Sequence, residues 1–339
     1  MTCMITLQPS GRNFSAETGE TLLEAAMRQN IGLPYGCRNG ACGACKSVVQ
    51  AGEVDHGAAQ AHALTNDEKV QGKTLLCCAK AKTDLVVACK EIGGATDFPA
   101  RTFPSRVEAL TRLAPDVIRL KLRLPTNERL QFHAGQYIDI LMKDGQRRSF
   151  SMANAPHDDA FIELHIRHVP GGQFTEHVFN AMNPRDILRL NGPLGSFYVR
   201  EDSTAPMILL AGGTGFAPIK AIVEHALHTG SKRPIWLYWG ARAAADLYLP
   251  ELGQKWVEQH PDLKYVPVLS APAPADSWAG RTGLVHEAVL ADHASLSGVQ
   301  VYACGSPAMI DAAKLAFCNE RGLPDDAFFA DAFTFANPA

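Results

Sequence analysis

The most informative stretch of this sequence is Cys37-Arg-Asn-Gly-Ala-Cys42-Gly-Ala-Cys45. Its cysteines have the spacing C-x4-C-x2-C, and Cys77 follows later in the chain. The intervening residues are mostly glycine and alanine, which lets backbone N–H groups approach an anionic group closely. Six of the nine cysteines lie between Cys37 and Cys89, which favours a local metal site over a disulfide framework.

The spacing of these cysteines is that of plant-type 2Fe-2S loops. It predicts a 2Fe-2S cluster with Cys37, Cys42 and Cys45 as ligands and Cys77 as the candidate fourth, while the neighbouring Cys78 stays open. A structural zinc site is an alternative, although zinc modules favour two C-x2-C pairs. A group of buried thiols without a metal is a second alternative.

Length and composition set broad limits on the rest of the chain. With 339 residues, 46% of them hydrophobic, we expect two or three domains with their own cores. A formal net charge of -3 gives no sign of nucleic-acid or membrane binding. The sequence has neither a signal-peptide pattern nor a transmembrane-length apolar run, so we expect a cytoplasmic protein.

Local patterns divide the chain into segments. A hairpin is predicted around Ser10-Gly11, and capping boxes at Thr21 and Thr65 predict two helix starts. Gly and Pro residues after Ile92 indicate an interdomain linker. The predicted organisation is a 2Fe-2S domain over 1–95, a linker over 96–104, a barrel over 105–202 and a nucleotide-binding domain over 203–339.

The two later segments differ in hydrophobic pattern. Alternating runs at 117–124, 136–141 and 161–166 predict an antiparallel barrel. From Met207 the pattern becomes strand, glycine turn, helix and strand, which predicts a parallel sheet with its ligand at the carboxyl ends of the strands.

Tyr35–Cys45, followed by Leu75-Leu-Cys-Cys-Ala-Lys80, resembles the ferredoxin domain of bacterial one-chain ferredoxin-NAD(P)H reductases. In that family the fourth ligand follows a Leu-Leu pair, which implies Cys77. The resemblance implies an α+β and α/β multidomain chain: a β-grasp ferredoxin domain, a six-stranded antiparallel β-barrel for FAD and a doubly wound parallel sheet for NAD.

Motifs for the flavin follow in the order of that family. Arg148-Ser-Phe-Ser151 resembles its R-x-Y-S motif, with Phe150 able to stack in place of tyrosine. The run His165–Thr175 resembles the strand and glycine turn that take the FAD phosphates. The FAD contacts so implied are Arg148, Ser149, Phe150, Ser151, His165, Ile166, Arg167, Gly171, Gly172, Phe174 and Thr175.

Two glycine turns resemble the nicotinamide-binding motifs of the family: Gly212–Pro218 and Cys304–Met309. The aromatic ending implies that Phe333, or less strongly Phe335, covers the flavin. Only Arg242 is available for a 2′-phosphate, so we expect NADH, with NADPH as the alternative. The nucleotide contacts so implied are Gly212, Gly213, Thr214, Gly215, Pro218, Arg242, Cys304, Gly305, Ser306, Pro307 and Met309.

The resemblance implies an NAD(P)H-dependent reductase in which electrons pass from NADH through FAD and the 2Fe-2S cluster to an external acceptor. Ser151, Cys304 and Phe333 are the expected catalytic residues. The expected acceptor is the terminal oxygenase of an aromatic-compound dioxygenase or monooxygenase system, served by a monomeric reductase. The alternatives are a CDP-6-deoxy-glucoseen reductase of deoxysugar synthesis and a redox-sensing protein without turnover.

Overall fold

A computed structural model describes residues 2–94 and 97–334, and the candidate Phe335 lies outside them. The chain divides into two compact units. Unit one contains the chain up to Pro99 together with Leu194–Phe197, and unit two contains Ala100–Pro193 and the chain from Tyr198 onward. Among the described residues, no helix has the length and apolar character needed to cross a bilayer.

Unit one is built on a five-stranded mixed sheet with the order β2-β1-β7-β3-β5, and β4 pairs with β6 in a separate ribbon. Strands β1 and β7 are parallel, and the other pairs in the sheet are antiparallel. Its elements are β1 (Thr2–Gln8), β2 (Asn13–Glu17), α1 (Leu22–Arg28), β3 (Lys46–Ala51), β4 (Val54–Asp55), α2 (Asn66–Val70), β5 (Lys73–Leu75), β6 (Lys80–Ala81) and β7 (Leu85–Ala88).

Local sequence signals explain the helix starts in unit one. Thr21 and Glu24 form a capping box at α1, and Thr65 and Glu68 form one at α2, as predicted. The buried face of α1, which includes Leu22, packs in the same core as Ile5. This arrangement is the β-grasp fold that the sequence analysis anticipated.

The first part of unit two is a six-stranded sheet with the order β11-β10-β13-β8-β9-β12. A bridge between Met152 and Leu164 links the ends of the order, as in a barrel. Its elements are β8 (Arg101–Ala114), β9 (Val117–Arg123), β10 (Tyr137–Leu141), β11 (Arg147–Ser151), β12 (Ile162–Arg167), α3 (Gln173–Asn180) and β13 (Ile187–Leu194). Because β8 begins at Arg101, the segment from there to Pro104 is strand and not linker.

The second part of unit two is a six-stranded parallel sheet with the order β17-β16-β15-β14-β18-β19. Strand β14 lies in the middle, and the order reverses beside it, so its carboxyl end lies at a topological switch point. The elements are β14 (Met207–Gly212), α4 (Phe216–His228), β15 (Ile235–Ala241), α5 (Pro250–Gln259), β16 (Leu263–Leu269), β17 (Arg281–Thr282), α6 (Val285–Asp292), β18 (Gln300–Gly305), α7 (Pro307–Arg321) and β19 (Phe328–Ala332).

Candidate functional site

The thiols of the cysteine loop are arranged in two pairs. The backbone N–H of Cys37 donates to Cys42 Sγ at 3.3 Å, and the N–H of Cys42 donates to Cys37 Sγ at 3.3 Å. The thiols of Cys45 and Cys77 form the second pair, in which Cys45 lowers the pKa of Cys77. Two cysteines for each of two irons is the ligand arrangement of a 2Fe-2S cluster. Within residues 2–94 and 97–334, no three His, Cys, Asp or Glu side chains surround a single-ion site.

Each thiol pair favours ionisation of one member. The hydrogen bond from the Cys42 thiol lowers the pKa of Cys37 to about 6, with further help from backbone N–H groups. Hydrogen bonds from the thiols of Cys45 and Cys78 lower the pKa of Cys77 to about 3. The thiolate is the form that binds metal, so Cys37 and Cys77 are the members of the two pairs whose metal-binding form the loop favours, whereas the pKa values of Cys42 and Cys45 are raised.

The loop around the thiols is shaped for close backbone approach. Gly40 has φ +76°, and a methyl group there would lie 2.8 Å from both Ala58 O and Cys78 Sγ. A side chain at this position would therefore displace the backbone or a thiol. The donor set and the absence of room for a side chain fit a 2Fe-2S cluster.

A hydrogen-bonded contact supports the start of the loop. The N–H of Tyr35 donates to Ser196 Oγ at 2.9 Å, and the Ser196 hydroxyl donates to Tyr35 O at 2.8 Å. Both residues belong to unit one, although they are 161 positions apart in the chain. The sequence analysis did not identify Ser196, since no local pattern marks such a distant partner.

Strand β11 carries the predicted flavin motif. Arg148 and Phe150 alternate with Ser149 and Ser151 along it, as the period of a strand requires. The Phe150 ring lies 5.3 Å from the Phe174 ring, and Ser149 Oγ donates to the buried Asp139 at 2.7 Å. The guanidinium of Arg148 donates to Gln146 Oε1 at 2.6 Å.

Asp331 contacts a candidate site residue, and the sequence analysis did not select it. Ser151 Oγ donates to Asp331 Oδ2 at 3.3 Å, and the Asp331 charge acts on Cys304. Burial, reinforced by that charge, raises the pKa of the Cys304 thiol well above its usual range. The backbone N–H of Phe333, just after β19, donates to Gly305 O at 2.8 Å. The structure thus brings all three expected catalytic residues to the ends of β11, β18 and β19.

The motif on β12 contains two side chains that lie in the core. His165 is fully buried, with Nε2 3.0 Å from Glu163 Oε1 and Nδ1 3.0 Å from the Tyr248 hydroxyl. Ile166 and Phe174 are also core side chains. Any contact of these residues with FAD is therefore limited to their backbone, whereas Arg167 remains partly exposed and pairs with Asp116 at 2.6 Å.

The glycine turn after β12 starts α3 as predicted. Gly171 has φ +76°, and Gly172 is the residue immediately before the helix. The Thr175 hydroxyl donates to Val169 O at 3.0 Å and accepts from the Val169 N–H at 3.1 Å. It therefore fixes the turn itself, a role that the sequence motif did not reveal.

The two predicted nucleotide turns meet at the carboxyl ends of β14 and β18. A methyl group on Gly212 would lie 2.6 Å from Met309 Sδ, and one on Gly215 would overlap the Cys304 carbonyl. Only glycine allows this approach. The remaining predicted residues of these turns are Gly213, Thr214, Pro218, Gly305, Ser306 and Pro307, with Ser306 capping α7.

A cavity of about 520 Å³ opens beside these turns. Its lining includes Gly212, Met309, Arg167 and Arg242, with Asp246 also present. Trp239, which the sequence analysis did not select, donates its indole N–H to Gly213 O at 3.0 Å and stacks on Phe216 at 3.7 Å. The cavity and its glycine turns fit a dinucleotide at the switch point of the sheet.

A buried ionic group, called here the Lys220 network, joins α4 to β12 and to Ala153, two residues after β11. Lys220 Nζ donates to Ala153 O at 3.0 Å and to Glu224 Oε2 at 2.8 Å, and lies 3.4 Å from Glu163 Oε1. Burial alone would raise the pKa of Glu163, but the hydrogen bond with His165 and the Lys220 charge outweigh it and lower that pKa to about 2. The buried carboxylate of Glu163 is therefore kept ionised by its partners His165 and Lys220.

Comparison with known proteins identifies all three parts of the chain. Residues 5–82 match the 2Fe-2S iron-sulfur cluster binding domain, 104–198 the oxidoreductase FAD-binding domain, and 209–315 the oxidoreductase NAD-binding domain. The first match decides against the zinc alternative. It also decides against a group of thiols without a metal.

Relatives match the chain over nearly its whole length. It is 41% identical to a CDP-6-deoxy-L-threo-D-glycero-4-hexulose-3-dehydrase reductase of Yersinia pestis, with 98% of this chain and 99% of the relative covered. It is 37% identical to terephthalate 1,2-dioxygenase reductase component 1 of Comamonas, with 98% of each covered. The crystal structure of an Amycolatopsis cytochrome P450 reductase superimposes with a TM-score of 0.80 at 36% identity, with 98% and 99% covered.

These matches follow the order of the structural features along the chain. The paired thiols lie in the 2Fe-2S match, β11 lies in the FAD-binding match, and the two glycine turns lie in the NAD-binding match. The chain belongs to the family of one-chain NAD(P)H oxidoreductases that join a 2Fe-2S domain to an FAD-binding and an NAD-binding domain.

Proposed function

We propose that this reductase oxidises NADH and delivers single electrons to the terminal oxygenase of an aromatic-compound oxygenase system. When bound, FAD supplies the conversion between a two-electron hydride donor and one-electron carriers. The observation that carries the proposal is the full-length match to a terephthalate dioxygenase reductase. The run from Arg148 to Pro156, which resembles reductases of ring-hydroxylating systems, supports it.

Residues of this chain are assigned the following tasks. The turns at Gly212–Gly215 and Cys304–Met309 would hold the nicotinamide nucleotide, and Arg167 would contact the FAD phosphates. Strand β11 would hold FAD, with Ser151 oriented by Asp331. Cys37, Cys42, Cys45 and Cys77 would hold the cluster; the position of Cys77 directly after Leu75 and Leu76 favours Cys77 over Cys78.

A second acceptor has its own support. The chain is also 41% identical over its full length to a CDP-hexulose dehydrase reductase. To separate the two acceptors, the purified reductase would be supplied with NADH and either the oxygenase component of the terephthalate system or the deoxysugar dehydrase. We expect coupled substrate oxidation with the oxygenase; faster reduction of the dehydrase alone would make the second candidate the function.

The cofactor content and the oxidation of NADH can be tested directly. The purified protein should show overlapping flavin and iron–sulfur absorbance and should reduce cytochrome c with NADH. Iron–sulfur absorbance that responds to redox state without any NADH turnover would support the sensor alternative instead.

Arg242→Ala tests the choice of nicotinamide. Arg242 is the exposed basic residue after β15, and a 2′-phosphate site usually has several basic groups. We therefore expect the KM for NADH to stay within about twofold, the range of a weak surface interaction. Steady-state kinetics with both nucleotides would measure it, with Arg129→Ala as the control. A low wild-type KM for NADPH that rises strongly in Arg242→Ala alone would identify an NADPH enzyme.

We propose further that the reductase is a cytoplasmic monomer that binds neither nucleic acid nor membrane. The near-neutral charge of -3 supports the part of the proposal that concerns nucleic acid and membrane. Sedimentation at the 36.6 kDa of one chain is expected, and a stable dimer would contradict it.

A further inference from the structure

Cys78 is a buried thiol beside a proposed ligand, and the proposed function gives it no task. Its Sγ lies 3.7 Å from Cys77 Sγ, within hydrogen-bonding distance for two sulfur atoms. Only 7% of the residue is exposed. It is therefore close enough to influence the cluster without being one of the paired thiols.

Ligation fixes the direction of this hydrogen bond. In the thiol form either Cys77 or Cys78 could donate. A cysteine bound to iron is a thiolate, which has no proton and can only accept. Cys78 must then be the donor, and its S–H donates to Cys77 Sγ.

The surroundings of Cys78 hold its side chain in this place. A methyl group on Gly40 would lie 2.8 Å from Cys78 Sγ, and one on Gly57 would lie 2.5 Å from Cys78 O. The Cys78 N–H donates to Leu75 O at 3.0 Å. Gly40 and Gly57 thus leave the space that Cys78 fills, and the hydrogen bond to Leu75 O fixes the backbone of Cys78.

We propose that Cys78 is a positioning residue that raises the reduction potential of the cluster by donating an S–H···S hydrogen bond to Cys77. Reduction adds one negative charge to the cluster, and a donor to a ligand sulfur stabilises the more negative form. The proposal rests on the proposed function through its assignment of Cys77 as ligand.

Redox titration of the full-length holoprotein, followed by the electron paramagnetic resonance signal of the reduced cluster, tests the proposal. Cys78→Ala removes the donor, and we expect its equilibrium constant for one-electron reduction to fall about fivefold, a shift of ~40 mV at ~59 mV per tenfold. Cys78→Ser keeps a donor and should restore a potential at or above the wild-type value. Cys89→Ala removes another buried thiol of the same core and should leave the potential unchanged.

The experiment distinguishes failure of the hydrogen-bond proposal from a wrong ligand assignment and from failure of the proposed function. A fully loaded Cys78→Ala protein with the wild-type potential would overturn the proposal. If alanine prevents folding, Cys78→Val fills the space without a donor, and an unchanged potential there would overturn it equally. Loss of the cluster in Cys78→Ala but not in Cys77→Ala would make Cys78 the ligand. A wild-type protein that takes up no cluster would instead refute the proposed function.

Discussion

Cys77→Ala is expected to reduce the NADH-dependent reduction of cytochrome c by at least about 100-fold, because loss of a ligand should exceed the ~10–100-fold cost of losing a residue that only supports one. The direct reduction of ferricyanide by way of the flavin should continue. Cys77 lies in unit one, whereas the proposed flavin and nicotinamide residues lie in unit two. Both rates and the iron content would be measured on the same preparations.

The control for this experiment is Cys89→Ala, which also removes a thiol from the core of unit one. It should keep two irons per chain and both activities. A Cys77→Ala protein that retains the cluster and the cytochrome c rate would show that Cys77 is not the fourth ligand. Loss of both activities would instead indicate that the variant is misfolded.

Lys220→Met is expected to lower the free energy of unfolding by about 3–5 kcal/mol, the cost of breaking a buried ion pair. Only 10% of the Lys220 side chain and 8% of the Glu163 side chain are exposed, so the remaining carboxylate would be poorly solvated. Lys121, at 3.7 Å from Glu163, offsets only part of this loss, because its side chain is 32% exposed. Urea denaturation with a tryptophan fluorescence signal would measure the change.

Two controls separate this effect from a general loss of charge. Lys314→Met removes a lysine from an exposed pair and should cost less than about 1 kcal/mol. Adding Glu163→Gln to Lys220→Met removes one of the two carboxylates that Lys220 contacts, the other being Glu224, and should recover part of the stability. Equal losses in Lys220→Met and Lys314→Met would disprove an energetic role for the Lys220 network.

The Lys220 network also predicts a dependence on pH. The pKa of Glu163 is about 2 in the folded chain against 4.5 as its ordinary value. A lowered pKa contributes stability above the ordinary value, and this contribution is lost as the pH falls from about 4.5 to about 2. Stability measured over this window should therefore fall less steeply in the double variant, which lacks the carboxylate, than in the wild type.

Local signals in the sequence predicted the elements and the order of the three domain types along the chain. The spacing of Cys37, Cys42 and Cys45, and the glycine turn after β14, depend on backbone geometry within a few residues, so a sequence can reveal them. The sequence analysis did not select Asp331 and Trp239, because the partner of each is distant in the sequence. Asp331 accepts a hydrogen bond from Ser151, and Trp239 donates one to the Gly213 carbonyl. No periodicity or spacing encodes such contacts.

The predicted linker, 96–104, extends too far because the start of β8 at Arg101 depends on pairing with the distant strand β13. Pro104 suggests irregular chain, yet it lies within β8 opposite Arg189 of β13. The pairing of β8 with β9 begins only at Arg106. Pro104 therefore lies where β8 has a single neighbour, and an edge position tolerates the missing N–H.

The contact between Ser196 and Tyr35 has a consequence for how such chains can recombine. A gene fragment that ends at Pro99 would encode the whole five-stranded sheet but not Leu194–Phe197, which belongs to the same unit. Exchange of ferredoxin modules between relatives at the linker would combine Tyr35 from one parent with residue 196 from the other. Successful chimaeras should therefore carry a serine at 196, or inherit this short segment with the module it supports.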